Sequence, residues 1–142
     1  DKAGAEAAYR AAIAADPQYA KAHFNLGILL NKRGDKAGAE TAFRAAISAD
    51  PQHANAHANI GAVLSERGDK AGAEAAYRAA IAADPQHANA HIGMGAALGG
   101  CGDHAGAARS FAAALKIDPS HADAKANLQL ALRMLKEERR EA

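Results

Sequence analysis

Residues Gly68–Gln86 read GDKAGAEAAYRAAIAADPQ, and the rest of the chain is organised around copies of this stretch. Asp1–Gln18 repeats all but its first residue without a change, and Asp35–Gln52 repeats it with substitutions at three positions. Asp103–Ser120 is a more divergent copy that keeps the closing Asp-Pro. The prolines Pro17, Pro51, Pro85 and Pro119 recur at a constant interval (51 − 17 = 34 residues). A fixed period of this length is typical of a solenoid, in which each unit contacts mainly its neighbours.

Each unit reads as two helices joined by two short hinges. Asp1 is suited to be the N-cap of a helix over residues 1–15, in which apolar residues recur at helical spacing. Pro17 ends that helix, because the residue before a proline is pushed out of the α region. A second helix is predicted over about residues 20–33, with Gly34 as its C′ residue and Asp35 as the next N-cap. We call the helices that follow each Asp-Pro hinge A helices and those that start at Asp1 or after each Gly-Asp hinge B helices.

The predicted organisation is a single solenoid over residues 1–142. It comprises a B helix of a truncated first repeat (1–19), three full repeats (20–53, 54–87 and 88–121) and a C-terminal capping helix (122–142). The first B helix lacks an A partner, so Tyr9 and Ile13 are expected to be more exposed than Tyr77 and Ile81. Such an end suggests a fragment, or a surface that another copy of the chain covers.

Composition narrows the classes of partner. The net charge is +1, from 17 basic and 16 acidic side chains, which argues against nucleic acid or an anionic membrane surface as a partner. The single Cys101 excludes an internal disulfide and fits a reducing compartment, so a cytoplasmic location is expected. No apolar run approaches the length of a membrane span.

Small and apolar residues recur at the same positions of every full unit. The second full unit shows the series Ile60-Gly61, Leu64, Ala73, Tyr77, Ala80 and Pro85, and the units on either side match it. This spacing closely resembles the tetratricopeptide repeat, W-x2-L-G-x2-Y…A-x3-F…P, over the whole chain. The main departures are leucine at the usual tyrosine position and histidine at the usual tryptophan position, namely His23, His57 and His91.

The resemblance implies an all-α fold, a right-handed superhelical solenoid of antiparallel helix pairs whose concave face is lined by A helices and binds peptides. The A-helix positions that A–B packing leaves free are the candidates for this groove. The predicted peptide-binding residues are Lys21, Phe24, Asn25, Ile28, Asn31, Lys32, Asn55, Asn59, Asn89, Ile92 and Asn127.

Asparagine recurs on this face at two repeat positions, which we call together the asparagine ladder. One position holds Asn25, Asn59 and Asn127, and the other holds Asn55 and Asn89. A side-chain amide both donates and accepts, so such a ladder suits the backbone of an extended peptide of any sequence. The ladder is similar to the one in the repeats of O-linked N-acetylglucosamine transferase. The alternative is that these residues serve turns or helix starts, which fits Asn55 and Asn89 best. Gly93 interrupts the ladder.

Other sequence motifs bear on chaperone-binding, metal-binding and catalytic sites. The basic carboxylate clamp of the family's chaperone-binding members is absent, so a chaperone-tail receptor is not expected. The two HANAH motifs (residues 53–57 and 87–91) space two histidines for a metal, but neither is joined regularly by a third ligand, and packed or solvent-bonded histidines are the favoured interpretation. No nucleophile or carboxylate pair accompanies a histidine in a catalytic pattern, so the sequence predicts neither an enzyme nor a cofactor.

Two further patterns give structural expectations. The B helices repeat a Lys-Glu-Arg series at spacing four, which favours a solvated face with small i,i+4 gains over a docking strip. The run Leu98-Gly-Gly-Cys-Gly102 predicts fraying at the end of its A helix, because glycine within a helix costs about 1 kcal/mol relative to alanine.

The sequence thus predicts a non-catalytic protein–protein interaction scaffold that binds an extended peptide through the asparagine ladder. Two alternatives remain at this point. One is a structural scaffold that self-associates by end-to-end stacking through the unpaired N-terminal helix. The other is a substrate-holding segment of a larger enzyme such as a glycosyltransferase.

Overall fold

The structure, a computed structural model, describes residues 1–142 and contains eight α-helices and no strand. The helices are α1 (Lys2–Ala15), α2 (Ala20–Lys32), α3 (Lys36–Ala49), α4 (Ala54–Glu66), α5 (Lys70–Ala83), α6 (Ala88–Gly100), α7 (His104–Ile117) and α8 (Ala122–Glu141). The A helices are therefore α2, α4, α6 and α8. The most extensive contacts join α2 to α3, α4 to α5 and α6 to α7, while α8 packs on α7. None of the eight helices is both long and apolar enough to span a membrane.

The Gly-Asp hinges form as the sequence predicts. Gly34, Gly68 and Gly102 have φ angles of 85°, 83° and 84°, a left-handed conformation that glycine adopts without steric cost. The aspartate that follows each glycine caps the next B helix. Asp69, for example, accepts a hydrogen bond from the Gly72 backbone N–H at 2.9 Å. Each hinge therefore ends one helix and begins the next within two residues.

Three glycine–aromatic pairs fix how α2, α4 and α6 meet the B helices that follow them. A Cβ atom built on Gly61 would lie 2.7 Å from the Tyr77 ring, too close for any real contact. The same holds for Gly27 against Phe43 and Gly95 against Phe111. The aromatic ring thus packs directly on the A-helix backbone, which only glycine allows. The largest core cluster joins Phe43 and Tyr77 with leucine, isoleucine, valine, alanine and methionine side chains of α2 to α6.

The predicted fraying of α6 is wrong. The helix stays regular to Gly100 and has the same length as α2 and α4, 13 residues. Its end is held by the same cap, in which the Asp103 backbone N–H donates to the Leu98 carbonyl at 2.9 Å. Leu98 also packs against the core, so this terminus is anchored despite its glycines.

Candidate functional site: a cleft across the A helices

Four of the predicted peptide-binding residues line one cleft. It has a volume of about 180 Å³ and spans α2, α4 and α6. Phe24 comes from α2, Asn55 and Asn59 from α4, and Asn89 from α6. The side chains of Asn59 and Asn89 make no hydrogen bond within the chain, so their amides are free to bind a ligand. The remaining lining residues are Ala58, Ala62, Tyr77 and His87.

His87 fixes the orientation of the Asn55 amide. The Nδ1 atom of His87 accepts a hydrogen bond from the Ala90 backbone N–H at 3.1 Å, so in the neutral ring the proton is on Nε2. That Nε2–H donates to the Asn55 Oδ1 atom at 2.7 Å. The Asn55 oxygen is thereby engaged, and its NH₂ group remains as a donor without a partner in the chain. Sequence reasoning placed His87 in a hinge and missed this role.

Tyr77 contributes a hydroxyl group to the same cleft. Only 7% of the residue is exposed, yet the hydroxyl has no hydrogen-bond partner within the chain and is not sealed from solvent. Burial, and to a smaller degree the charge of Glu66, raises the pKa of Tyr77 above its ordinary value. The sequence predicts that Tyr77 is more buried than Tyr9, which the structure confirms, but it gives no sign that Tyr77 also lines this cleft.

Phe24 forms an aromatic wall at the N-terminal end of the cleft. Its ring centroid lies 4.8 Å from that of His53 and 5.8 Å from that of Phe43, and both pairs are tilted. These distances are within the usual range for aromatic pairs. Phe24 therefore has a fixed position and offers one face for apolar contact.

Comparison with known proteins identifies the family. The sequence profile described as tetratricopeptide repeat matches residues 1–54, 32–88 and 59–122. The chain belongs to the tetratricopeptide repeat (TPR) family. Its fold is accordingly an all-α, right-handed superhelical solenoid of antiparallel helix pairs, as the sequence resemblance implied. Among curated proteins, no sequence matches significantly.

Two solved TPR structures are closely similar to this one. A crystal structure of MamA shares 25% sequence identity with a TM-score of 0.84, covering 94% of this chain and 78% of that chain. The first TPR of Spaghetti (RPAP3), bound to the HSP90 peptide SRMEEVD, shares 21% identity with a TM-score of 0.81. That match covers 85% of this chain and 96% of the other and shows likeness of fold.

The other predicted site residues lie apart from the cleft that spans α2, α4 and α6. Asn127 lines a second, more apolar cleft of about 270 Å³ between α6, α7 and α8, together with Leu130 and Met134. The amide oxygen of Asn31 is engaged, since the Lys36 Nζ atom donates to it at 2.7 Å. The remaining predicted peptide-binding residues differ in their burial. Lys21 and Lys32 are exposed, whereas Asn25, Ile28 and Ile92 are half-buried.

Six of the seven histidines fill two structural positions of the TPR unit. His23, His57 and His91, at the usual tryptophan position, donate from Nε2 to the carbonyl of the preceding hinge proline at 2.8–2.9 Å. His53, His87 and His121 are N-caps of α4, α6 and α8, each accepting a backbone N–H at Nδ1. The two histidines of each HANAH motif thus have separate partners, and no group of three or more potential metal ligands occurs in the chain.

The glutamates of the Lys-Glu-Arg series form i,i+4 ion pairs and also pair with arginines at the ends of A helices, which the spacing of four does not reveal. Glu40 pairs with Arg44 on its own helix at 2.9 Å and with Arg67 from the end of α4 at 2.5 Å. The hydrogen bond from Arg44, together with the charge of Arg67, lowers the pKa of Glu40. Glu6 is paired in the same way with Arg10 and Arg33. In the sequence, these additional pairs could have been predicted from the recurrence of Arg33 and Arg67 one period apart.

Proposed function

We propose that this TPR chain is a non-catalytic protein-interaction scaffold that holds an extended peptide in its concave groove. The observation that carries the proposal is the cleft in which the amides of Asn55, Asn59 and Asn89 converge. An amide that has no partner in the chain can donate to a peptide carbonyl and accept from a peptide N–H. Contacts of this kind depend on the peptide backbone, so they give affinity with low sequence preference.

The composition of the groove favours a largely uncharged segment. No lysine, arginine, aspartate or glutamate lines this cleft. Phe24 offers apolar contact within it, and Ile28 and Ile92 would do so on the neighbouring turns. Lys21 and Lys32 are exposed on α2, where they would set the direction in which a peptide with a charged end lies.

The RPAP3 TPR, which holds the peptide SRMEEVD, supports a peptide as the class of ligand. That peptide carries three acidic side chains, and charged ligands of this kind require basic partners. The cleft described here offers amides and a hydroxyl group instead. The partner of this chain is therefore expected to differ from an acidic chaperone tail.

The experiment that tests this function uses an extended peptide selected against the purified chain from a random-sequence library. Its affinity is measured by titration calorimetry for the wild-type chain and for Asn59→Ala. Loss of one or two hydrogen bonds predicts about a three- to tenfold weaker affinity. Gln52→Ala is the matched control, because it removes an amide from an exposed hinge residue outside the cleft. An unchanged affinity for Asn59→Ala would contradict the proposal.

A further inference from the structure

The asparagine ladder has one missing member at the repeat position of Asn25, Asn59 and Asn127, and the structure shows what occupies its place. Asn25, Asn59 and Asn127 share a repeat position at which α6 carries Gly93. A Cβ atom built on Gly93 would lie 2.3 Å from two carbons of the Tyr77 ring and 2.8 Å from the Tyr77 hydroxyl oxygen. The phenol ring of Tyr77 therefore fills the space in which a side chain at position 93 would begin.

Each aromatic residue of a B helix can be compared with the residue 16 positions later on the following A helix. Along the chain, a phenol hydroxyl on the first of these residues takes the place of an amide on the second. Phe43 and Phe111 stand 16 residues before Asn59 and Asn127 (59 − 43 = 16), and Tyr77 stands 16 residues before Gly93. Where the aromatic residue lacks a hydroxyl, the A helix supplies an amide; where the A helix lacks a side chain, the aromatic residue carries a hydroxyl. The first pair, Tyr9 and Asn25, has both groups, and there Tyr9 is only half-buried.

The Tyr77 hydroxyl is both fixed and available. The ring is held between two backbones, since a Cβ atom on Gly61 would lie 2.7 Å from it on the other helix. The hydroxyl makes no hydrogen bond within the chain, and the residue lines the same cleft as Asn55, Asn59 and Asn89. A rigid polar group without a partner, next to three amides in one cleft, is suited to bind a ligand.

We propose that the Tyr77 hydroxyl completes the ladder at the position of Gly93 and donates a hydrogen bond to a backbone carbonyl of the bound peptide. This inference rests on the proposed function and adds a binding residue to it. A carbonyl is the fitting partner because the neighbouring Asn55 also presents its NH₂ group, its oxygen being engaged by His87. This part of the cleft thus combines two donors, one from a phenol and one from an amide.

The test is the affinity of the library-selected peptide for Tyr77→Phe, measured by titration calorimetry. Phenylalanine occupies this repeat position in α3 and α7, so the fold is kept, and the melting temperature is expected to stay unchanged. We expect the affinity to fall about three- to tenfold. Tyr9→Phe is the matched control, because it removes a hydroxyl from the same repeat position outside the cleft, and it is expected to bind like the wild type.

Asn59→Ala, measured beside Tyr77→Phe with the same peptide, separates this inference from the function on which it rests. If Tyr77→Phe binds like the wild type while Asn59→Ala is weakened, the inference about Tyr77 is wrong and the groove function stands. If neither substitution changes the affinity, both proposals are wrong.

Discussion

Histidine is used in this solenoid as a capping and bridging residue, and its two ring nitrogens have different partners. His87 accepts from the start of α6 with Nδ1 and donates to Asn55 with Nε2, so one side chain both begins a helix and orients a groove amide. His121 caps α8 through Nδ1 but makes no bond through Nε2. The difference lets the two roles be separated by substitution.

His87→Asn is expected to keep the cap and break the bond to Asn55. Asparagine is a good N-cap, but its side chain is too short to reach Asn55 on the preceding A helix, α4. The free energy of unfolding should therefore stay near that of the wild type, whereas His87→Ala should lose about 1 kcal/mol in chemical denaturation. Both variants should bind the selected peptide more weakly, because Asn55 is no longer held. His121→Ala is the control, because it should lower the free energy of unfolding and leave the affinity for the peptide unchanged. Loss of stability in His87→Asn equal to that in His87→Ala would contradict the assigned roles.

For single residues, the sequence predicted their places along the repeat but not which side chains they contact. The repeat register correctly predicted that His53 and His87 lie at the hinge or first turn, since both follow an Asp-Pro pair by a fixed interval. It did not predict the bond from His87 to Asn55, which joins residues 32 positions apart. Nor did it predict the reach of Tyr77 over Gly93. The first contact depends on how closely α4 and α6 approach, and the second on how closely α5 packs on α6. A pattern of residue types does not carry those distances.

Among the helices, the C-terminal ends of α2, α4 and α6 differ in the ion pairs that they form with the preceding B helix. Arg33 and Arg67 each join a glutamate of a B helix, Glu6 and Glu40. One period later Cys101 stands at the position of the arginine, so Glu74 has only Arg78 on its own helix. The junction between α5 and α6 thus lacks an ion pair that the two earlier junctions have.

Cys101→Arg is expected to form the missing pair with Glu74. The side chain of Cys101 is exposed, so the substitution requires no repacking. An additional surface ion pair is worth about 0.2–1 kcal/mol of unfolding free energy at low salt, measured by urea denaturation. Cys101→Ser serves as the control for loss of the thiol, and Cys101→Arg in a Glu74→Gln background should gain nothing. An equal gain with and without Glu74 would show that the arginine acts in another way.

Glu40→Gln is expected to destabilise the chain in a pH-dependent manner. The arginines lower the pKa of Glu40 in the folded state, so the folded carboxylate holds its proton less tightly than the unfolded one. The stabilisation is complete above the unfolded pKa, about 4.3, and is lost as the pH falls through the lower folded value. Glu40→Gln should therefore melt below the wild type at pH 7 and converge with it in acid. Glu74→Gln should show a smaller difference, and a difference that persists in acid would contradict the assignment.

At the scale of the molecule, regular repetition builds a groove and local departures give it different surfaces. The amides of α4 and α6 make the middle polar, while Leu130 and Met134 make the end at α8 apolar. The face of α8 also differs from those of the other A helices, because Gln129 stands where Gly27, Gly61 and Gly95 receive an aromatic ring. We therefore expect α8 to receive Tyr9 of a second copy poorly, which favours the groove over end-to-end stacking.

The helix pairs and the hinges of the molecule followed from the sequence, because a 34-residue period with glycine, aspartate and proline at fixed offsets specifies local conformation. Four of the residues expected on the A-helix face line one cleft, and their role in binding stays a prediction. The division of that face into a polar and an apolar cleft was not predicted. It arises from which side chains the neighbouring helices bring together, namely Asn55, Asn59 and Asn89 in one cleft and Leu130 and Met134 in the other.

The most direct test of the groove is nuclear magnetic resonance of the ¹⁵N-labelled chain titrated with the selected peptide. Side-chain NH₂ groups give separate signals, so each amide reports its own environment. If the peptide lies in this cleft, the signals of Asn55, Asn59 and Asn89 shift together with peptide concentration, while those of the hinge residues Gln52 and Gln86 stay in place. Shifts confined to the hinge glutamines and the B helices, with the three asparagines unchanged, would show that the peptide binds elsewhere and that the proposed groove function is wrong.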